Sequence, residues 1–174
     1  MKPALRFLVF SLLTPLTILT TTAHAQIGVF GNFTAGTQYR VINNTTTSWT
    51  YGPTLGVFDD IPFPFFSVGG DLRGQYITGN QLHHWNIMAG PRLALRSGGL
   101  RPYAEFLVGF GGYKDSLYSA GYTGHLDYAA VVGVDKHLLP LIDWRVIEFA
   151  YNSYFNNRNA PGSKQFSTGI VLHF

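Results

Sequence analysis

Residues 103–111, YAEFLVGFG, alternate between two kinds of side chain. Successive side chains of an extended strand point to opposite sides, so every second residue would share a face. One face would carry only apolar residues, namely Ala104, Phe106, Val108 and Phe110. The other would mix one charge with small and apolar residues, namely Tyr103, Glu105, Leu107, Gly109 and Gly111. The apolar face must be covered, and the rest of the chain decides whether protein or lipid covers it.

Three further stretches show the same division. Their uncharged faces would carry Phe66, Val68, Gly70, Leu72 and Tyr76; Trp85, Ile87, Ala89, Pro91, Leu93 and Leu95; and Leu126, Tyr128, Ala130, Val132 and Val134. The opposite faces are rich in Gly and Ala and hold only a few charges. A face in water would carry more Lys, Glu or Thr, whereas small residues fit inside a narrow barrel, where eight strands leave room only for side chains. We therefore interpret the apolar faces as lipid-facing.

Five charged residues would then point into the lumen: Asp71, Arg73, Arg92, Glu105 and Glu148. An isolated buried charge is costly, so we expect these side chains to pair in a network that fills the lumen. The seventh candidate strand presents a conflict, because Arg145 and Glu148 have opposite parity. We predict that Glu148 faces the lumen and that Arg145 extends its long side chain to the membrane rim. A bulge between the two would also resolve the conflict.

Alternation with a period of two predicts eight strands, at residues 27–38, 48–58, 65–78, 84–96, 100–113, 124–137, 142–155 and 164–174. Short connections with Pro or Gly (59–64, 97–99 and 138–142) alternate with longer polar ones (39–47, 79–83, 114–123 and 156–163). This asymmetry is typical of membrane barrels with short periplasmic turns and longer outside loops. Pro53 and Pro91 fall inside strands, so we expect a bulge or a broken hydrogen bond at each.

The N-terminal residues have the layout of a signal peptide. Lys2 and Arg6 precede an apolar run over 7–19, and Ala23-His24-Ala25 is a small-x-small cleavage site. We expect a signal peptide at 1–25 and a barrel domain at 26–174. Charged residues make up 12% of the chain, against roughly 25% in a typical soluble domain. The net charge is +3, and cleavage of the signal peptide would remove the positive charges of Lys2 and Arg6. Charge therefore does not predict a nucleic-acid partner.

The last strand carries a recognisable motif. Ser167-x-Gly169-x-x-Leu172-x-Phe174 resembles the C-terminal signal of bacterial outer-membrane barrels, with Leu172 where an aromatic residue is more usual. Residues 101–112, RPYAEFLVGFGG, are similar to central strands of the "outer membrane beta-barrel protein" group.

This resemblance implies an all-β fold, an eight-stranded antiparallel up-and-down transmembrane β-barrel of the OmpA transmembrane-domain and OmpX class. It also implies a location in the outer membrane of a Gram-negative bacterium. There the barrel would contact outer-membrane lipid, and the barrel-assembly machinery would recognise Ser167, Gly169, Leu172 and Phe174.

The function we expect is that of a non-enzymatic, monomeric envelope protein without cofactors, which stabilises the membrane or presents loops. A small porin or channel is one alternative. A lipid-modifying enzyme is another, because His83, His84 and His125 fall near outer strand ends, with Ser116, Ser119 and Asp127 not far off. A soluble, lipocalin-like barrel would need the reverse parity, with a charged outside and an apolar cup. A metal site has little support, because the histidines are scattered and His83 and His84 would point to opposite faces.

Overall fold

The computed structural model describes residues 26–39, 47–116, 121–155 and 162–174. The strands are β1 (Gln26–Tyr39), β2 (Thr47–Pro62), β3 (Phe66–Gly79), β4 (Leu82–Leu95), β5 (Leu100–Asp115), β6 (Thr123–Leu139), β7 (Ile142–Tyr154) and β8 (Ser163–His173). Each strand pairs antiparallel with the next, and β1 pairs with β8 to close the barrel. The predicted fold class is thereby confirmed. The predicted signal peptide at 1–25 lies outside the described residues.

The two ends of the barrel differ in their connections. The turn end holds Gln26, Phe174 and the three short connections at 63–65, 96–99 and 140–141. The loop end holds the strand ends that the other four connections join. The connection between β3 and β4 is shorter than the predicted loop at 79–83, because Asn80 and Gln81 alone join the two strands. Both have positive φ, 47° and 66°, as in the type I′ turn whose twist matches that of a hairpin.

Side chains alternate between lumen and outer surface as predicted for the third to sixth strands. Leu72, Phe106 and Val132 are each at least half exposed, whereas Leu107 and Val131 are buried. The outer surface of the described strands is therefore an apolar belt, the reverse of a soluble barrel with an apolar cup. Within the described residues, no helix is long and apolar enough to span a membrane.

Pro53 and Pro91 interrupt pairing without shifting it. Around Pro53, the β2–β3 pairs lapse between Tyr51 and Thr54 and then resume in the same register. Around Pro91, the β4–β5 pairs lapse between Ala89 and Arg92 in the same way. The predicted bulges are thus wrong and the predicted loss of pairing is confirmed, because a missing N–H removes ladder bonds without adding a residue.

The glycine before each proline allows a close approach of the neighbouring strand. A Cβ atom at Gly52 would overlap the carbonyl oxygen of Tyr76, and one at Gly90 would overlap that of Phe106. Both obstacles are backbone atoms, so no side-chain rotation relieves the overlap. These two positions therefore require glycine.

Alanine at Gly90 is expected to destabilise the barrel by about 1–3 kcal/mol, as overpacking does elsewhere, because β4 and β5 must move apart. Gly70→Ala is the matched control, since the nearest atom to its Cβ would be the Gly90 carbonyl oxygen at 3.8 Å. Urea unfolding of both variants in detergent micelles measures the difference. Equal stability of the two variants would contradict the close approach.

Candidate functional site

The centre of the lumen holds a layer of buried charges drawn from six strands. Its members are Asp60, Asp71, Arg73, Arg92, Glu105, Asp135, Arg145 and Glu148, none more than 5% exposed. All five residues of the predicted charge network are in this layer. Asp60, Asp135 and Arg145 are additional members that sequence reasoning did not assign to it.

Six of these side chains form a closed ring of alternating charge, here called the ionic ring. In order it runs Arg73, Glu105, Arg92, Asp135, Arg145, Glu148 and back to Arg73. Within the ring, each arginine therefore contacts two carboxylates, and each carboxylate contacts two arginines. This arrangement supplies the partners that a buried charge needs.

The contacts within the ionic ring are at hydrogen-bonding distances. Arg73 Nη1 and Arg145 Nη1 each lie 3.1 Å from a different oxygen of Glu148. Asp135 accepts from Arg145 Nε at 2.9 Å and from Arg92 Nη2 at 3.3 Å. Glu105 joins Arg73 to Arg92 through its two oxygens. The ring thus bridges strands that are not neighbours and crosses the lumen.

Further carboxylates and neutral groups fix the ring from outside. Asp71 accepts two bonds from Arg73, at 2.8 and 3.2 Å, and Asp60 lies 3.4 Å from Arg92 Nε. The hydroxyl groups of Tyr103 and Ser167 donate to Glu148 at 2.7 and 3.0 Å. Glu148 therefore accepts four hydrogen bonds from four different side chains.

Aromatic rings cover the faces of the guanidinium groups. Arg92 lies between Phe58 and Tyr103, at 4.1 and 4.0 Å from the ring centroids. Arg145 lies between Phe30 and Tyr103, at 4.2 and 4.8 Å. Cation–π contacts at these distances stabilise desolvated arginines. Charged and aromatic side chains together occupy this level of the lumen.

A bulge in β7 brings Arg145 into the ring. Arg145 is wholly buried, so the prediction that it extends to the membrane rim is wrong. The register shifts on both sides of β7 between Arg145 and Glu148, with one extra residue on β7. The extra residue reverses the parity and lets both side chains face the lumen, the alternative that the sequence left open.

A second polar cluster lies at the loop end, within the lumen. His84 of β4 and His125 of β6 face each other with 3.2 Å between their Nε2 atoms. Asp127 of β6 places one oxygen 3.1 Å from His125 Nε2 and the other 3.7 Å from His84 Nε2. The ring of Tyr154 meets that of His125 edge-on at 4.4 Å. We name His84, His125 and Asp127 the loop-end cluster.

The loop-end cluster contains three of the residues considered for an enzyme. Among the described residues, its imidazoles contact each other, Asp127 and the carbonyl oxygen of Thr123 rather than a serine hydroxyl. Ser119 lies outside the described residues, and Ser116 donates its backbone N–H to Gln81. His83 faces away from the cluster and hydrogen-bonds Thr78 at 2.9 Å.

A third cluster surrounds Asp143 at the turn end. His137 Nδ1 and His173 Nε2 lie 2.8 and 2.9 Å from its two oxygens, and Arg101 lies 3.6 Å away. These residues line a cavity of about 410 Å³ that also includes Arg96. No sequence motif indicated this cluster, because its members come from four different strand ends.

The residues of the predicted assembly signal divide between the two faces of β8. Ser167 points inward to Glu148, and Gly169 packs so closely on β1 that a Cβ would overlap the Gly31 carbonyl oxygen. Leu172 and Phe174 point outward and are exposed. Their recognition by assembly machinery stays a prediction.

Comparisons with known proteins give a fold and no family. No family model matches the sequence, and no curated protein matches it. The Neisserial surface protein A structure is 11% identical, with a TM-score of 0.60, over 88% of this chain and 100% of the other. Ail, the attachment invasion locus protein of Yersinia pestis, solved in complex with the heparin analogue sucrose octasulfate, is 13% identical, with a TM-score of 0.51 over 88% and 100%.

A third similar structure is that of the outer membrane enzyme PagL. It is 11% identical, with a TM-score of 0.50, over 86% of this chain and 99% of that one. At such identities the likeness extends to the fold and not to activity. The chain therefore has the fold of the small eight-stranded outer-membrane β-barrels.

Proposed function

We propose that this protein is a non-enzymatic outer-membrane barrel of a Gram-negative bacterium, which acts through its surface and not through its lumen. The ionic ring is the observation that carries the proposal. It commits three arginines and three carboxylates to one another across the lumen, where an eight-stranded barrel has room only for side chains. Such a barrel would strengthen the envelope or present its loop-end connections to the outside.

The outer surface supports the membrane location. Large apolar side chains are exposed on every described strand, including Phe33, Leu55, Phe110 and Ile147, each at least half exposed. Lipid is the environment in which such a surface is stable, because hydrocarbon covers it without a protein partner. The barrel would be a monomer in that lipid, delivered there by assembly machinery that reads β8.

A small channel is the second candidate. Between the ionic ring and the loop end, the buried amides of Asn32, Asn86 and Asn152 have no hydrogen-bond partner among the described residues. Polar groups of this kind favour contact with water. Water on the loop side of the ring would not by itself carry ions past the ring.

Planar-bilayer recording separates the two candidates. We expect the purified wild-type barrel to give no stable conductance steps, because the ionic ring closes the lumen. The double variant Arg92→Ala/Glu105→Ala removes one cation and one anion from the ring, keeps the net charge, and is expected to admit ion flow. Large, stable conductance from the wild-type barrel would contradict the closed lumen and favour the channel.

A further inference from the structure

We propose that the loop-end cluster binds one divalent transition-metal ion, with His84, His125 and Asp127 as ligands and Zn²⁺ as the ion that this ligand set suits. Two imidazole nitrogens and a carboxylate oxygen are common zinc ligands in proteins. The three ligand atoms all lie within 4.8 Å of one another. The proposal is independent of the closed lumen, because the cluster and the ionic ring share no residue.

The spacing of the ligand atoms matches a tetrahedral ion. Zinc binds nitrogen and oxygen at about 2.0–2.2 Å, so two ligands of a tetrahedral site lie about 3.3–3.6 Å apart. The Nε2 atoms of His84 and His125 are 3.2 Å apart. One carboxylate oxygen of Asp127 lies 3.1 Å from His125 Nε2, and the other lies 3.7 Å from His84 Nε2. A rotation of the Asp127 carboxylate that brings one oxygen close to both nitrogens would complete a set of three ligand atoms, which already lie within 4.8 Å of one another.

The hydrogen bond on the far side of His125 selects the ligand tautomer. His125 Nδ1 lies 3.2 Å from the carbonyl oxygen of Thr123, and a carbonyl can only accept, so Nδ1 carries a proton. In the neutral ring, Nε2 then presents a lone pair toward His84 and Asp127. A histidine that donates its other N–H to a backbone carbonyl is the usual arrangement at metal sites.

The carboxylate of Asp127 is a buried charged group of the loop-end cluster whose burial no hydrogen bond among the described residues compensates. Both oxygens of Asp127 are buried without a hydrogen-bond partner among the described residues. His125 Nε2 is within ion-pair distance of Asp127 but makes no hydrogen bond to it. A buried carboxylate in this state needs a counter-charge, and an ion between the three side chains provides it.

The position of the cluster suits an ion that enters from the loop end. His125 and Asp127 share the inner face of β6, two residues apart, and β5 separates them from His84 on β4. The His125 side chain is 12% exposed, so solvent reaches the site and can supply a fourth ligand. The bound ion would tie β4 to β6 across the mouth of the lumen.

Calorimetric titration of the untagged, detergent-folded barrel with ZnCl₂ tests the proposal. We expect one equivalent of Zn²⁺ to bind. His84→Ala should weaken that binding by more than about 100-fold, since loss of an outer-shell partner alone costs 10–100-fold. His83→Ala is the matched control, because this neighbouring histidine faces away from the cluster and should leave the affinity unchanged. Gel mobility with and without boiling confirms that each variant is folded.

Two further results decide the proposal even if His84→Ala does not fold. Asp127→Asn keeps the size of the side chain, removes the charge and should also weaken binding. His173→Ala disrupts the turn-end cluster, where Arg101 beside Asp143 disfavours a cation, and should keep the full equivalent. No stoichiometric binding to the wild-type barrel, or equal loss in His83→Ala and Asp127→Asn, would overturn the proposal.

Discussion

The Glu148→Ala variant is expected to unfold with a free energy about 3–5 kcal/mol lower than that of the wild-type barrel, the usual cost of breaking a buried ion pair by removing one partner. Glu148 receives hydrogen bonds from Arg73 and Arg145, which are both buried. Alanine opens the ionic ring and leaves each of these arginines with one ring partner fewer. It also removes the carboxylate that accepts hydrogen bonds from the hydroxyl groups of Tyr103 and Ser167.

Two further variants separate charge from shape at this position. Glu148→Gln keeps the volume and part of the hydrogen bonding, so its loss of stability should fall between those of wild type and Glu148→Ala. Ser167→Ala removes one neutral donor to Glu148 and should cost about 1 kcal/mol. Urea unfolding of the barrel in phospholipid vesicles, followed by tryptophan fluorescence, measures all three. A Glu148→Ala variant no less stable than Ser167→Ala would contradict the ring as a source of stability.

The strand pattern was predictable because one physical rule generates it. An apolar outer surface and a lumen packed with side chains impose an alternation that residues such as Phe106 and Glu105 make visible in the sequence. The same alternation correctly placed Asp71, Arg73, Arg92, Glu105 and Glu148 on the inner face. It could not pair them, because the pairing depends on the relative shift of strands distant in sequence.

The misplaced residues each have a local cause. Arg145 was predicted to lie outside the lumen because the composition of β7 does not reveal the one-residue bulge that inverts the parity of the strand. Asp60 was not assigned to the lumen because the predicted second strand ends at residue 58, whereas β2 continues to Pro62. The β3–β4 connection was predicted too long because Gln81 is not a residue that signals a left-handed turn position, although its φ is 66°.

The loop-end cluster was not predictable as a unit. His84 and Asp127 come together only when β5 is placed between their strands, and no spacing within one strand announces that. His125 and Asp127 do share a parity, which is a visible signal, but a pair of this kind is common on any inner face. A histidine two residues before an aspartate at a strand end becomes informative once a third ligand-type residue is known to oppose it.

The proposed location of the barrel in lipid predicts the second large effect on stability, at a residue of the outer surface. Leu72→Arg is expected to lower the free energy of unfolding by about 2–4 kcal/mol, the cost of an arginine near the bilayer midplane. Leu72 is half exposed and lies between Asp71 and Arg73, so it faces outward at the height of the ionic ring. Its neighbours across the adjacent strands, Val57 and Ala89, offer no charge partner.

The same change at the edge of the apolar belt is the matched control. Leu95 is as exposed as Leu72 but ends β4 at the turn end, where the interface solvates charge and arginine should cost no more than about 1 kcal/mol. Unfolding in phospholipid vesicles compares Leu72→Arg with Leu95→Arg directly. In water, both arginines would be tolerated alike, because an exposed charge there costs little. A depth-dependent penalty therefore reports that hydrocarbon surrounds the middle of the barrel, and equal penalties would refute the lipid-facing belt.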